Sequence, residues 1–238
     1  MRECEAELVT RIVDLSMPIE DHFRWPVERR VMGSHAQGDV FEATWAGWTV
    51  HGFTHMDAQR HCVPGGPTTE QIPLERTVGD AAVVDLTPIA PNEAITAPRL
   101  AAAAAHVRPG DIVVMRSCWE QQRSPRTPEF WTEAPYMTRE ASEWLLERGP
   151  RAVAFDFPQD YVIRLLLRGE RRPLADNVTH DVLLKNGVTL IEYLSNTSAL
   201  RCSRTFLCCL PLKIPGADGA PARVIAIEGA LPGAMEGS

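Results

Sequence analysis

His51-Gly-Phe-Thr-His55-Met-Asp57-Ala-Gln-Arg-His61 gathers three of the chain's seven histidines, with an aspartate, into one short run. Imidazole and carboxylate are the usual ligands of zinc and manganese, and few structural needs would collect them so tightly. Val50, Phe53 and Met56 make the run apolar enough to be at least half buried, which disfavours a cluster of surface histidines without a metal. Were residues 51 to 55 fully extended, the end Cα atoms would lie roughly 13 Å apart at about 3.3 Å per residue. That distance is marginal for joint chelation, so the backbone must bend, and Gly52 is the natural place. His55 and Asp57, two apart, can point to one side and form the tightest pair.

Outward from this run, short apolar segments rich in β-branched residues alternate with helical patterns. Strands are expected at Arg11–Leu15, Val40–Val50, Ala81–Leu86, Asp111–Arg116, Ala152–Phe155, Val188–Glu192, Thr205–Leu212 and Arg223–Ile227. Helices are expected at Pro98–His106, Thr138–Arg148 and Thr179–Lys185, the second opening on Thr138 as N-cap and closing at Gly149. The alternation argues for an α/β fold with a mixed sheet, since several strands follow one another closely. Gln121–Pro135, with three prolines, and Arg168–Asn177, with three arginines in its first five residues, are expected as irregular excursions, either solvated loops or binding elements and lids. No internal repeat is visible, and one domain over residues 1–238 is the simplest organisation.

With 45% apolar and 23% charged residues the chain has the make-up of a soluble globular protein. A formal charge of −7 argues against nucleic acid as a partner. The longest apolar run, the alanines near 101–105, is far below membrane-spanning length, and the acidic N-terminus is no secretory signal; a cytoplasmic location is expected. The cysteines at 4, 62, 118, 202, 208 and 209 form no CxxC pair and no regular framework, so neither a zinc ribbon nor a disulfide scaffold is indicated. Cys208 and Cys209, inside an apolar run, read as small buried thiols of a core strand.

A second constellation stands downstream. His180 sits at a helix start, and Glu192 ends the otherwise apolar strand Val188-Thr-Leu-Ile-Glu192. An ionised carboxylate closing such a strand needs a partner, either a metal or an arginine. Asp156 and Asp160 either line a pocket or cap a turn, and Arg116 either steers a carboxylate or makes a structural ion pair. Asp218-Gly219 reads as a hairpin turn. His22, His35 and His106 have no liganding neighbours and are expected in surface or core roles.

The run at 51–61 resembles the His-x-Gly-Thr-His-x-Asp-x-Pro-x-His signature of the putative cyclase family, which includes bacterial kynurenine formamidase and isatin hydrolase. Asp14-Leu-Ser-Met-Pro18, Trp25-Pro26, Gly110-Asp-Ile-Val-Val-Met-Arg-Ser117, Asp156-Phe-Pro-Gln-Asp160, the His180–Glu192 spacing and the tail from Leu210 extend the resemblance over nearly the whole chain. Phe53 stands where the family has glycine and Gln59 where it usually has proline; both are expected beside the pocket and bear on substrate identity. The resemblance implies a swivelling β/β/α-type fold and a homodimer or homotetramer. It implies His51, His55 and Asp57 as ligands of a first divalent ion, zinc or manganese, with Asp57, His180 and Glu192 holding a second or completing the shell. His61 would shuttle a proton, and Trp25 would wall a planar substrate. The implied activity is metal-dependent hydrolysis of a small aromatic or cyclic amide, lactam or lactone. The alternative is a ring-closing cyclase or lyase of secondary metabolism using the same metal as Lewis acid, and a third reading is a catalytically silent metal- or ligand-binding protein.

Overall fold

The computed structural model describes residues 10–229. In chain order its strands are β1 (Arg11–Asp14), β2 (Glu28–Gly33), β3 (Ala43–Gly47), β4 (His55–Asp57), β5 (Val78–Asp85), β6 (Ala94–Ile95), β7 (Ile112–Arg116), β8 (Tyr136–Met137), β9 (Ala152–Phe155), β10 (Thr189–Glu192), β11 (Arg204–Pro211) and β12 (Gly219–Glu228). The α-helices are α1 (Ala97–Ala103), α2 (Pro128–Thr132), α3 (Arg139–Glu147), α4 (Ile163–Leu166) and α5 (Val178–Val182).

Eight strands form one sheet in the order β1-β12-β11-β5-β7-β9-β10-β4, and β4 pairs again with β12, so the sheet closes into a barrel. The pairs β5–β7, β7–β9 and β9–β10 are parallel and the remainder antiparallel, giving the mixed α/β sheet expected. Period-two alternation divides the central strands between two cores. Ala81, Val83, Ile112, Val114, Ala152, Ala154 and Ile191 pack with Met56 and Leu207 in one. Ala82, Val84, Val113, Met115, Val153, Phe155 and Leu190 face the other, with the helical residues Leu100, Ala141, Leu145 and Val182. Both faces of these strands are buried, which is why they read in sequence as continuous apolar runs.

Thr138 caps α3, its Oγ1 accepting from the Ala141 N–H at 3.3 Å, and Gly149 closes the helix end at φ 66°. Three expectations are corrected. The Val40–Val50 segment yields only β3, which pairs with β2 in a separate ribbon whose residues are mostly exposed. Gln121–Pro135 is not irregular throughout: Pro128 opens α2, the first turn being where a missing N–H costs nothing, and Phe130 and Trp131 are buried. Cys202 is disulfide-bonded, a pairing that the irregular cysteine spacing did not announce; Cys62, Cys118, Cys208 and Cys209 are free thiols, and Cys4 lies outside the described residues.

Candidate metal centre

Strand alternation builds the site. Met56 of β4 and Ile191 of β10 enter one core, so His55, Asp57 and Glu192 face the other side, toward the helices. The antiparallel register sets Glu192 opposite His55 and Leu190 opposite Asp57, and α5 brings His180 over the same face. On the other edge of β4, β12 sets Gly219 opposite Asp57. The bend before β4 falls where expected, with the Gly52 N–H donating to the Thr49 carbonyl at 3.1 Å, yet the left-handed backbone is at Phe53, φ 60°.

His55 Nδ1 donates to the Phe53 carbonyl at 2.8 Å, which leaves Nε2 facing Asp57 Oδ1 at 3.3 Å and Glu192 Oε2 at 3.7 Å. His180 is built the same way: Nδ1 meets Asp160 Oδ2 at 2.7 Å, while Nε2 faces Asp57 Oδ2 at 3.4 Å and Glu192 Oε1 at 3.5 Å. Asp160 also accepts from the Thr179 N–H and hydroxyl, and the Gln159 amide donates to Glu192 Oε1. Separations of this size are long for hydrogen bonds. They match the roughly 3.3–3.5 Å between donor atoms that each lie about 2.0–2.2 Å from one tetrahedral cation. His55, Asp57 and Glu192 are 1%, 1% and 4% exposed, so two carboxylates are buried side by side, an arrangement that a divalent cation neutralises. The donor set and its spacing fit zinc or manganese.

His51 stands differently. Its Nδ1 meets Asp57 Oδ1 at 2.8 Å and its Nε2 meets Asp218 Oδ2 at 2.9 Å, both at hydrogen-bond length. Asp218 Oδ2 also receives His61 Nδ1 at 3.2 Å, and the His51 and His61 rings lie 3.9 Å apart. Thus His51, Asp57 and His61 form an outer trio, and His55, Asp57, Glu192 and His180 an inner quartet, with Asp57 common to both. Among these groups burial lowers the His51 pKa, but hydrogen bonds and charge from Asp57 and Asp218 outweigh it and raise the imidazole to about 9. Burial likewise pushes the Asp57 carboxyl up, but the charge and hydrogen bonds of the surrounding imidazoles outweigh it and hold the carboxyl well below the usual carboxylate range. His180 is raised well above the usual value, Asp160 and Asp57 outweighing burial.

Above the cluster lies a cavity of about 570 Å³. Trp25 and His61 line it, and so do Arg172, Leu174 and Asn177, giving the arginine-rich excursion a place at its wall. Phe53 and Gln59 do not line it. Phe53 is buried against Trp25, ring centroids 5.0 Å apart, and the Gln59 amide donates to the Lys185 carbonyl at 3.2 Å. Asp156 holds the N–H groups of Ser117 and Cys118, and Arg116 pairs with Asp85 at 2.8 Å, both structural roles. His22 stacks on Trp25 with centroids 4.8 Å apart. Sequence reading passed over Asp218, taken for a turn residue, along with Gln159, Tyr193 and Arg24. Asp160 was noticed only together with Asp156, the two being expected either to line a pocket or to cap a turn.

Residues 13–159 match the model of the family described as "Putative cyclase". The chain is 27% identical over 184 residues to kynurenine formamidase of Salinibacter ruber (strain DSM 13855 / M31), across 74% of this chain and 76% of that protein. Among solved structures it is similar to a potential metal-dependent hydrolase with cyclase activity, with TM-score 0.71 and 27% identity over 94% of this chain and 100% of that one. Isatin hydrolase A from Labrenzia aggregata, bound to benzyl benzoate, shares the fold at TM-score 0.76 and 21% identity, over 93% and 94% of the two chains.

Proposed function

Because the chain belongs to the putative cyclase family, we propose that it is a metal-dependent hydrolase of a small aromatic or cyclic amide, lactam or lactone. The observation that carries this reading is the ligand spacing of His55, Asp57, His180 and Glu192 at the floor of an aromatic-walled cavity. A divalent cation held there, with His51 at its edge, would acidify water and polarise a carbonyl. The chain's own residues supply the rest. Trp25, 6% exposed and packed on Phe53 and Tyr193, is a rigid wall for a flat ring. His61 lines the cavity with Nδ1 on Asp218, which leaves Nε2 to pass a proton to the leaving nitrogen or oxygen.

Kinship to the family supports the swivelling β/β/α description of the fold and assembly as a homodimer or homotetramer. No helix among the described residues is long and apolar enough to cross a membrane, and action in the cytoplasm is part of the same reading. The test is turnover by protein loaded with zinc or with manganese, assayed on formanilides, isatin and simple aryl lactones. Products whose summed mass exceeds that of the substrate by one water support hydrolysis; a loss of one water supports ring closure. His61→Ala should keep its metal by elemental analysis and lose about 10²–10⁴ in rate. A variant that keeps both metal and rate removes His61 from the mechanism.

A further inference from the structure

Gln159 is fully buried, at 0% exposure, and does not line the cavity above the cluster. Its side chain is only half satisfied. The amide Nε2 donates to Glu192 Oε1, while the amide oxygen has no hydrogen-bond partner. The reverse orientation would set two acceptors, the amide oxygen and the carboxylate, against each other, so the orphan falls on the oxygen. Burying an amide oxygen without a donor is unfavourable, and an apolar side chain of the same size would avoid it. Packing therefore does not explain an amide at this position; its contact with Glu192 does.

The fold brings the two side chains together. Strands β9 and β10 run parallel, and Gln159 follows shortly after the end of β9 while Glu192 ends β10. The Met137 N–H donates to the Gln159 carbonyl at 2.8 Å, which pins the backbone behind the amide. The next residue, Asp160, holds His180 Nδ1. Two adjacent residues thus brace two candidate ligands on different elements. Among the described residues no lysine or arginine pairs with Glu192, which faces the imidazoles of His55 and His180. A fixed cation there would cancel charge that a divalent ion needs, and a carboxylate would repel it. A neutral donor fixes the direction of the carboxylate and leaves its charge whole. We propose that Gln159 is a positioning residue of the metal centre, which aims Glu192 through its amide and has no contact with substrate. This rests on the metal-centre part of the proposed function and not on the reaction catalysed.

The test pairs zinc affinity, measured by competition with a chromogenic chelator, with urea unfolding of the metal-free protein. Gln159→Met, close in shape but without the donor, should bind zinc about 10- to 100-fold more weakly, the usual loss when a ligand's support is removed. Its metal-free form should be no less stable than the parent, because the unsatisfied oxygen is gone. Gln159→Leu repeats both measurements with a second shape. In a Glu192→Ala background Gln159→Met should have no further effect on zinc, since the amide then has no carboxylate to aim. The assignment is overturned if Gln159→Met keeps the parental affinity, or if the same loss persists without Glu192. It is overturned also if the metal-free variant loses stability in step with its zinc, which marks a structural part of the core. Should the parent bind zinc no tighter than Glu192→Ala, the metal-centre reading falls and the assignment with it. Should zinc binding depend on Gln159 while nothing is hydrolysed, the hydrolase reading fails and the assignment stands.

Discussion

A Cβ atom at position 219 would stand 2.5 Å from His51 Cε1, 2.9 Å from its Nδ1 and 3.1 Å from the Met56 carbonyl. The last two partners cannot yield cheaply, because one hydrogen-bonds Asp57 and the other is backbone of β4. Gly219→Ala should therefore displace the His51 ring and loosen Asp57, lowering metal affinity about 10- to 100-fold, as when other supports of a metal ligand are lost. Metal retained after dialysis against graded chelator measures it; unchanged retention would mean that His51 is free to move. The candidate ligands at 55 and 57 were legible in sequence because residue type and two-residue spacing stood together in one run. Asp218 was not. Its role follows from β12 lying beside β4, a pairing across more than 160 residues that no local pattern announces.

At the scale of elements, the segment around α2 shows how proline misleads. Pro125, Pro128 and Pro135 suggest a loop, yet α2 carries Phe130 at 2% and Trp131 at 0% exposure. Trp131 packs edge-on against Trp25 and Tyr193, with centroids 5.1 and 5.0 Å away, and its indole N–H donates to the Pro125 carbonyl. The segment is a plug that backs the wall of the cavity, which a solvated lid would not be. Trp131→Ala should cost about 3–5 kcal/mol, the range for emptying a large aromatic site. Urea unfolding measures it, and a loss under about 1 kcal/mol would place the segment outside the folded core. Strands β5, β7, β9 and β10 were readable for the opposite reason, since burial on two faces leaves an unbroken apolar signal. The β2–β3 ribbon has no such burial and gave none at β2.

Barrel closure ties distant strands, and charged pairs mark where ends meet. Asp111, just before β7, receives two parallel N–H bonds from Arg204 at the start of β11, at 2.7 and 2.9 Å, with β5 lying between the two strands. It also accepts from the Arg108 N–H at 2.8 Å, and it is 5% exposed. Burial pushes the Asp111 carboxyl up, but the hydrogen bonds and charge of Arg204 and the Arg108 N–H outweigh it, and the folded pKa lies below the ordinary value. A depressed carboxylate pKa means that the unfolded chain takes up the proton first. The stabilisation is therefore complete above the unfolded value of about 4 and is lost as pH falls through the folded one. Asp111→Asn keeps the shape and removes the charge, so at pH 7 it should be less stable by about 1.5–3 kcal/mol. As pH falls through the folded pKa and the parent carboxyl takes up its proton, the two proteins should converge. Urea unfolding of both over a series from neutral pH into acid measures the gap. A gap of equal size throughout the series would show that geometry, and not charge, joins β11 to β7.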